Sequence, residues 1–133
     1  MALPSVGGGY QFTDGNVNEV KLGIQAAPAA YTGTTVTMTA AELTGGIVTS
    51  TNTAAVAITL PTVALTEALV VNAKVNSAFD IVVINLGSSL GAVTMTAGTG
   101  WTLVGSATVA ITTSARFVAR KTGDSAWSLY RVA

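Results

Sequence analysis

The chain has 133 residues, of which half are apolar and 9% charged, which bounds it to one domain with length to spare for an arm. Six acids balance six bases, and histidine and cysteine are both absent. These counts exclude disulfide scaffolds, thiolate or imidazole metal sites and any mechanism centred on His or Cys, and they lack the basic excess of a nucleic-acid binder.

An ordinary soluble domain is about 25% charged. A compact monomer of this mass exposes roughly 6,500 Å², so its charges come to about one per 540 Å², against about one per 200 Å² for typical composition. Thr, Ser and Asn wet part of such a surface. A neutral surface this sparse in charge also tends to associate, so the expectation is that other subunits cover much of it.

In chain order, the start from Met1 to Gly9 has neither a basic n-region nor an apolar h-region and does not read as a secretory signal. Gly7-Gly8-Gly9 does not sustain a helix or strand, Asp14-Gly15-Asn16 signals a turn, and Ala26-Ala27-Pro28-Ala29-Ala30 reads as an extended linker. Tyr10, Phe12, Val17, Val20, Leu22 and Ile24 give the segment more apolar anchors than a solvated tail carries. Residues 1–33 are therefore read as an extended N-terminal arm that docks on a neighbour.

From Thr34 the pattern is β. Thr35-Val36-Thr37-Met38-Thr39 alternates hydroxyl and apolar side chains, so one face is buried and the other wet. Gly46–Thr51 and Ala54–Leu60 form the next pair of strands, joined by Asn52-Thr53. Thr62 caps a short helix over Val63–Val71, where Leu65, Ala68 and Leu69 recur at helical spacing. The apolar stretch Ala54–Ala73 contains Pro61 and Glu67 and is rich in Ala and Thr, so it reads as core and not as a membrane span.

Ala78–Leu86 is the strongest strand, nearly continuous in β-branched residues and placed centrally. Strands over Ala92–Ala97, Trp101–Val104, Ala107–Thr112, Ser114–Lys121 and Ala126–Val132 follow, separated by Gly/Ser/Asn turns. Spacings near ten residues indicate a sandwich or barrel and not a βαβ sheet. The expected fold over residues 34–133 is thus all-β, a jelly-roll-like sandwich or barrel of about eight short strands with one short helix.

Chemistry is sparse. Gly98-Thr99-Gly100 is too short for a phosphate cradle and reads as a hairpin turn. Asp14, Glu19, Glu42, Glu67, Asp80 and Asp124 are scattered, whereas a glycosidase needs two carboxylates facing each other about 5–10 Å apart. Without histidine, serine activation would need a lysine, and Lys21 and Lys74 are isolated. The expectation is no enzyme, no metal, no cofactor and no small-molecule substrate.

Asp80 interrupts the most apolar strand. It points to the wet face, bonds backbone at the strand start, or pairs with an arginine within the domain or across a subunit boundary. The stretch Arg116–Arg131 holds four of the six bases and one acid, so it is +3 while residues 1–115 are −3. Basic residues among aromatics suit single-stranded nucleic acid. Yet Arg116 and Arg120 share one strand face and Lys121 the other, which fits a hairpin with arginines at its rim better. The charge asymmetry suits docking between copies, with Asp80, Arg116, Arg120 and Arg131 as subunit-contact candidates.

The runs Thr39–Thr51, Ile58–Thr62, Phe79–Asn85, Ala97–Gly105 and Arg116–Arg131 together resemble small β-rich structural proteins of tailed bacteriophages, most of all the capsid decoration (cement) proteins. The resemblance covers about residues 34–133 and rests on structural motifs. It implies a non-enzymatic virion protein on the outer capsid surface, a homotrimer at three-fold positions that bridges neighbouring capsomers. Its partners would be itself and the major capsid protein of the same phage, with no nucleic acid and no membrane. The arm residues Tyr10 to Ile24 would extend the footprint. Related modules occur in fibres, so a receptor- or glycan-binding fibre module is the alternative, with Trp101 or Trp127 as an exposed platform.

Overall fold

The computed structural model describes residues 23–133. They form β1 (Ala29–Tyr31), β2 (Thr35–Thr37), α1 (Ala40–Gly45), β3 (Ile47–Ser50), β4 (Val56–Thr59), α2 (Val63–Leu69), β5 (Ala78–Asn85), β6 (Val93–Thr96), β7 (Trp101–Val104), β8 (Thr108–Val109), β9 (Ser114–Gly123) and β10 (Ala126–Arg131). Two sheets result, with strand orders β1-β3-β5-β9-β10-β7 and β2-β4-β6-β8. The fold is a β-sandwich. Its described residues carry ten strands and two helices where the sequence suggested about eight and one.

Up to β8 the chain alternates between the sheets, strand by strand, and as far as β6 successive strands within one sheet run parallel. Tyr31 aligns with Ser50 and Ser50 with Asn85 in one sheet, while Val36 aligns with Ile58 and Ile58 with Met95 in the other. Parallel strands need a long crossover. Here the crossover is a strand of the opposite sheet, and the first six strands make three turns of a flattened coil. Antiparallel pairing enters with β8 against β6, β9 against β5, and the β9–β10 hairpin, whereas β7 returns parallel to β10.

Two segments joined by Asn52-Thr53 therefore do not pair with each other. β3 and β4 lie in different sheets and the turn is an arch. The same holds for β5 and β6 and for β6 and β7, so Gly98–Gly100 spans the two sheets and makes no hairpin. Asparagines lock the stacked arches. Asn52 donates through Nδ2 to Thr32 O (2.6 Å) and accepts from Ala54 N (2.8 Å). Buried Asn85 donates to Gly91 O (2.8 Å) and Val109 O (3.1 Å) and accepts from Gly87 N (2.9 Å). The arches approach so closely that a Cβ on Gly91 would lie 2.6 Å from the carbonyl oxygens of both Asn52 and Ala54.

The core lies between the sheets. Val48, Ile81, Val83, Phe117, Ala119 and Leu129 face Val56, Ile58, Val93, Met95 and Val109, all buried. Trp127 packs between Trp101 and Phe79, with ring centroids 5.7 Å from each.

Both helices occupy the crossovers at one end. α1 begins at a capping box: Glu42 N donates to Thr39 Oγ1 (3.2 Å), and Thr39 N donates back to Glu42 Oε2 (2.8 Å). It ends at Gly46, whose φ of 89° is left-handed. α2 begins at Thr62, whose side chain accepts from Leu65 N, as its sequence position implied. β1 falls inside the stretch read as an arm: Ala29–Tyr31 pairs with Val48–Ser50 at the edge of the larger sheet.

Candidate interaction surface

In a chain with so few ionised side chains, their placement decides which chemistry is available. Glu42 accepts from Tyr31 Oη (2.7 Å) as well as from Thr39 N. The backbone donor of Thr39 and the Tyr31 hydroxyl hold its carboxyl below the usual glutamate range. Burial, reinforced by the Glu42 carboxylate, pushes the Tyr31 phenol well above its ordinary value.

Glu67 points inward from α2. Its Oε1 lies 2.9 Å from Lys121 Nζ and accepts from Trp127 Nε1 (3.1 Å), and Lys121 also donates to Ala73 O (3.3 Å). These donors, Lys121 first, lower the Glu67 pKa. The triad ties α2 to the β9–β10 hairpin.

The four subunit-contact candidates all find partners within the chain. Asp80 and Arg116 project from β5 and β9 on the outer face of the larger sheet and pair directly, with Arg116 Nε 3.1 Å from Asp80 Oδ2. Both are about half exposed, and such a pair contributes about 1 kcal/mol or less. Arg120 donates to Tyr130 Oη (2.8 Å) and Asn76 Oδ1 (2.6 Å) and lies over the Tyr130 ring. That hydrogen bond lowers the Tyr130 pKa. Arg131 donates to the carbonyls of Thr108 and Ala133. Lys121 does lie on the face opposite Arg116 and Arg120, as strand alternation required.

Of the arm residues, Tyr10, Phe12, Val17, Val20 and Leu22 lie outside the described residues. Ile24 is fully exposed on a stretch without regular structure. One residue on, Gln25 Nε2 donates to Gly45 O at the end of α1. Among the described residues, no three His, Cys, Asp or Glu side chains converge as a metal site would require, and no helix is long and apolar enough to cross a membrane.

Both tryptophans are buried, Trp101 to 7% exposure and Trp127 to 1%. Trp101 Nε1 donates to Pro61 O (2.8 Å), and Trp127 Nε1 is taken by Glu67. Neither forms the platform that the fibre-module alternative needed.

Large apolar side chains also face outward. Leu65, Leu69, Val71 and Val75 are each at least half exposed on α2 and the loop after it, and Leu86 and Leu90 protrude from the arch at the opposite end. The periodic stripe that marks α2 in the sequence is its outer face, because Val63, Thr66 and Glu67 occupy the inner one. The Thr66 hydroxyl is buried and satisfied by Thr62 O (3.1 Å), and the Glu67 carboxylate, still about a quarter exposed, is satisfied by Lys121 and Trp127, so the inner face carries these polar groups at little cost. Sequence periodicity carried no signal of this inversion. The α1 capping box did have one, since Thr39-Ala40-Ala41-Glu42 matches the S/T-x-x-E pattern.

Comparison of the chain with protein-family models, with curated proteins and with solved structures yields no match.

Proposed function

We propose that this chain is a structural virion protein that binds the outer surface of a tailed-phage capsid as a homo-oligomer, a trimer by the resemblance above, and stabilises the shell by bridging capsomers. One observation carries the reading. Seven of the nine described charged side chains, all but Lys74 and Asp124, are engaged in in-chain bonds, while leucines and valines at both ends of the sandwich face outward. We read this as the surface of a tile among neighbours.

A protein that binds only the assembled shell adds its binding free energy to shell stability, about 2.7 kcal/mol per site when its free concentration is a hundred times Kd. Oligomerisation raises the effect, since linked contacts bind with avidity beyond any one of them. Tyr10, Phe12, Val17, Val20, Leu22 and Ile24 serve in this reading as the capsid-docking contacts.

The test uses heads of the encoding phage prepared without this protein. Adding the chain is expected to coat them saturably and raise the temperature at which they release DNA. Removing residues 2–22, which leaves every described element intact, is expected to preserve the fold and weaken attachment. Heads that neither bind the chain nor gain heat resistance would refute the proposal. The fibre-module reading is not carried further, because Trp101 and Trp127 are both in the core.

A further inference from the structure

The outer face of α2 and the loop after it expose Leu65 (59%), Leu69 (50%), Val71 (74%) and Val75 (54%). Beside them runs an open groove of about 550 Å³ whose walls include Met38, Ala40, Ala41, Leu65 and Leu69. The four large side chains alone present on the order of 400 Å², as much as the largest apolar patch of a typical monomer. The groove walls, which share Leu65 and Leu69 with this patch, extend it modestly, so it would form the apolar centre of a stable protein contact, which buries roughly 800 Å² per partner, and not the whole of one.

Charge selects the occupant. Around a symmetry axis each group lies near its own image, so an ionised group there meets like charge. Residues 62–79 contain only two ionised side chains, and Glu67 is turned inward onto Lys121 and Trp127, leaving Lys74 as the one directed outward. A charged partner finds a single complementary group, Lys74, in this patch, and an anionic bilayer finds no basic cluster. The outer face of the larger sheet differs, since it carries Asp80, Arg116 and Arg120.

We propose that α2 and the loop through Val75 are the self-association surface, where Leu65, Leu69 and Val71 of one copy pack against the same residues of further copies. The inference rests on the self-associating part of the function proposed above and not on shell attachment.

Sedimentation velocity of the full chain, over about a hundredfold range of concentration, reads the outcome as mass. The wild type is expected to run as an oligomer. The double variant Leu65→Asp/Leu69→Asp, which places carboxylates against their own images, is expected to weaken association at least about a hundredfold and run as a single chain. Both positions are exposed, so its far-UV circular dichroism should match the wild type. Leu65→Gln/Leu69→Gln serves as the milder variant should the charged one misfold, and is expected to shift the midpoint in the same direction.

Val104→Asp, on β7 at the edge of the larger sheet, is expected to keep the wild-type mass. A wild type that stays single, a double variant that keeps the oligomeric mass, or dissociation by Val104→Asp alone would each overturn the proposal. So would flotation with neutral or anionic vesicles by the wild type but not the double variant, because lipid would then be the occupant. A single-chain wild type that still coats heads overturns this inference and leaves shell attachment standing. An oligomer that ignores heads does the reverse.

Discussion

Replacing Gly91 by alanine probes the stacking of the arches from two sides at once. The added Cβ would sit 2.6 Å from Asn52 O and Ala54 O, far inside van der Waals contact and against backbone on both sides. Relief requires the arch before β6 to move away from the arch before β4. That motion strains the Val56 N–Ala92 O bond (2.9 Å) and the Asn85 Nδ2–Gly91 O bond (2.8 Å). Losing both costs about 2 kcal/mol, and overpacking of this kind costs about 1–3 kcal/mol on its own. Because one shift relieves both, the expected loss is about 2–4 kcal/mol rather than their full sum. In urea, with a slope near 2 kcal/mol per molar, the unfolding midpoint should fall by about 1–2 M with the slope unchanged. Gly123→Ala is the control, since a Cβ there meets nothing within 4 Å and should change stability by less than about 0.5 kcal/mol. A Gly91→Ala protein as stable as the control would refute the close approach of successive coil turns.

Phe117→Ala removes a buried ring from the middle of β9 and should cost about 3–5 kcal/mol, read in the same urea titration. Thr39→Ala removes one half of the α1 capping box and should cost about 1 kcal/mol. The carboxyls of Glu42 and Glu67 titrate lower in the folded chain than in the unfolded one. Their contribution is therefore complete above about pH 4.5 and is lost as pH falls through the folded values, and Glu42→Gln/Glu67→Gln should flatten that acid limb of the stability profile. Tyr31 titrates higher folded than unfolded, so its contribution is present below about pH 10 and declines as pH rises beyond it. Tyr31→Phe should remove that alkaline decline, which thermal melts at stepped pH would show.

The sequence made the strands legible where side-chain alternation and β-branching were strong. Ala78–Leu86 is β5, at the centre of contacts to β3 and β9, and Ser114–Lys121 with Ala126–Val132 is the β9–β10 hairpin. Connectivity was less legible. Asn52-Thr53 suits an arch between sheets as well as a hairpin within one, because both need short polar residues and differ only in which neighbour takes the hydrogen bonds. β1 was hidden for another reason: Ala29-Ala30-Tyr31 has little strand character, and its pairing is supplied by β3. α1 was masked by the alternation of Thr35 to Thr39, which runs directly into the cap.

Site residues followed the same division. Asp80 with Arg116 was one of the pairings the sequence left open, and opposite faces for Lys121 and Arg120 followed from period two alone. The Glu67–Lys121–Trp127 triad joins residues up to 60 positions apart and has no local signature. The outward turn of Leu65 and Leu69 depends on that triad, since the inner face of α2 is held by its one carboxylate. Tertiary bonding overrode the amphipathic pattern there.

The proposed role is tested most directly by locating the chain in images of the intact phage particle, by antibody labelling followed by averaged density. Repeated two-sheet densities are expected on the outer face of the head, between capsomers, with the α2 ends of neighbouring copies in contact. Label confined to the tail or its fibres, or particles that carry none of the chain, would contradict it.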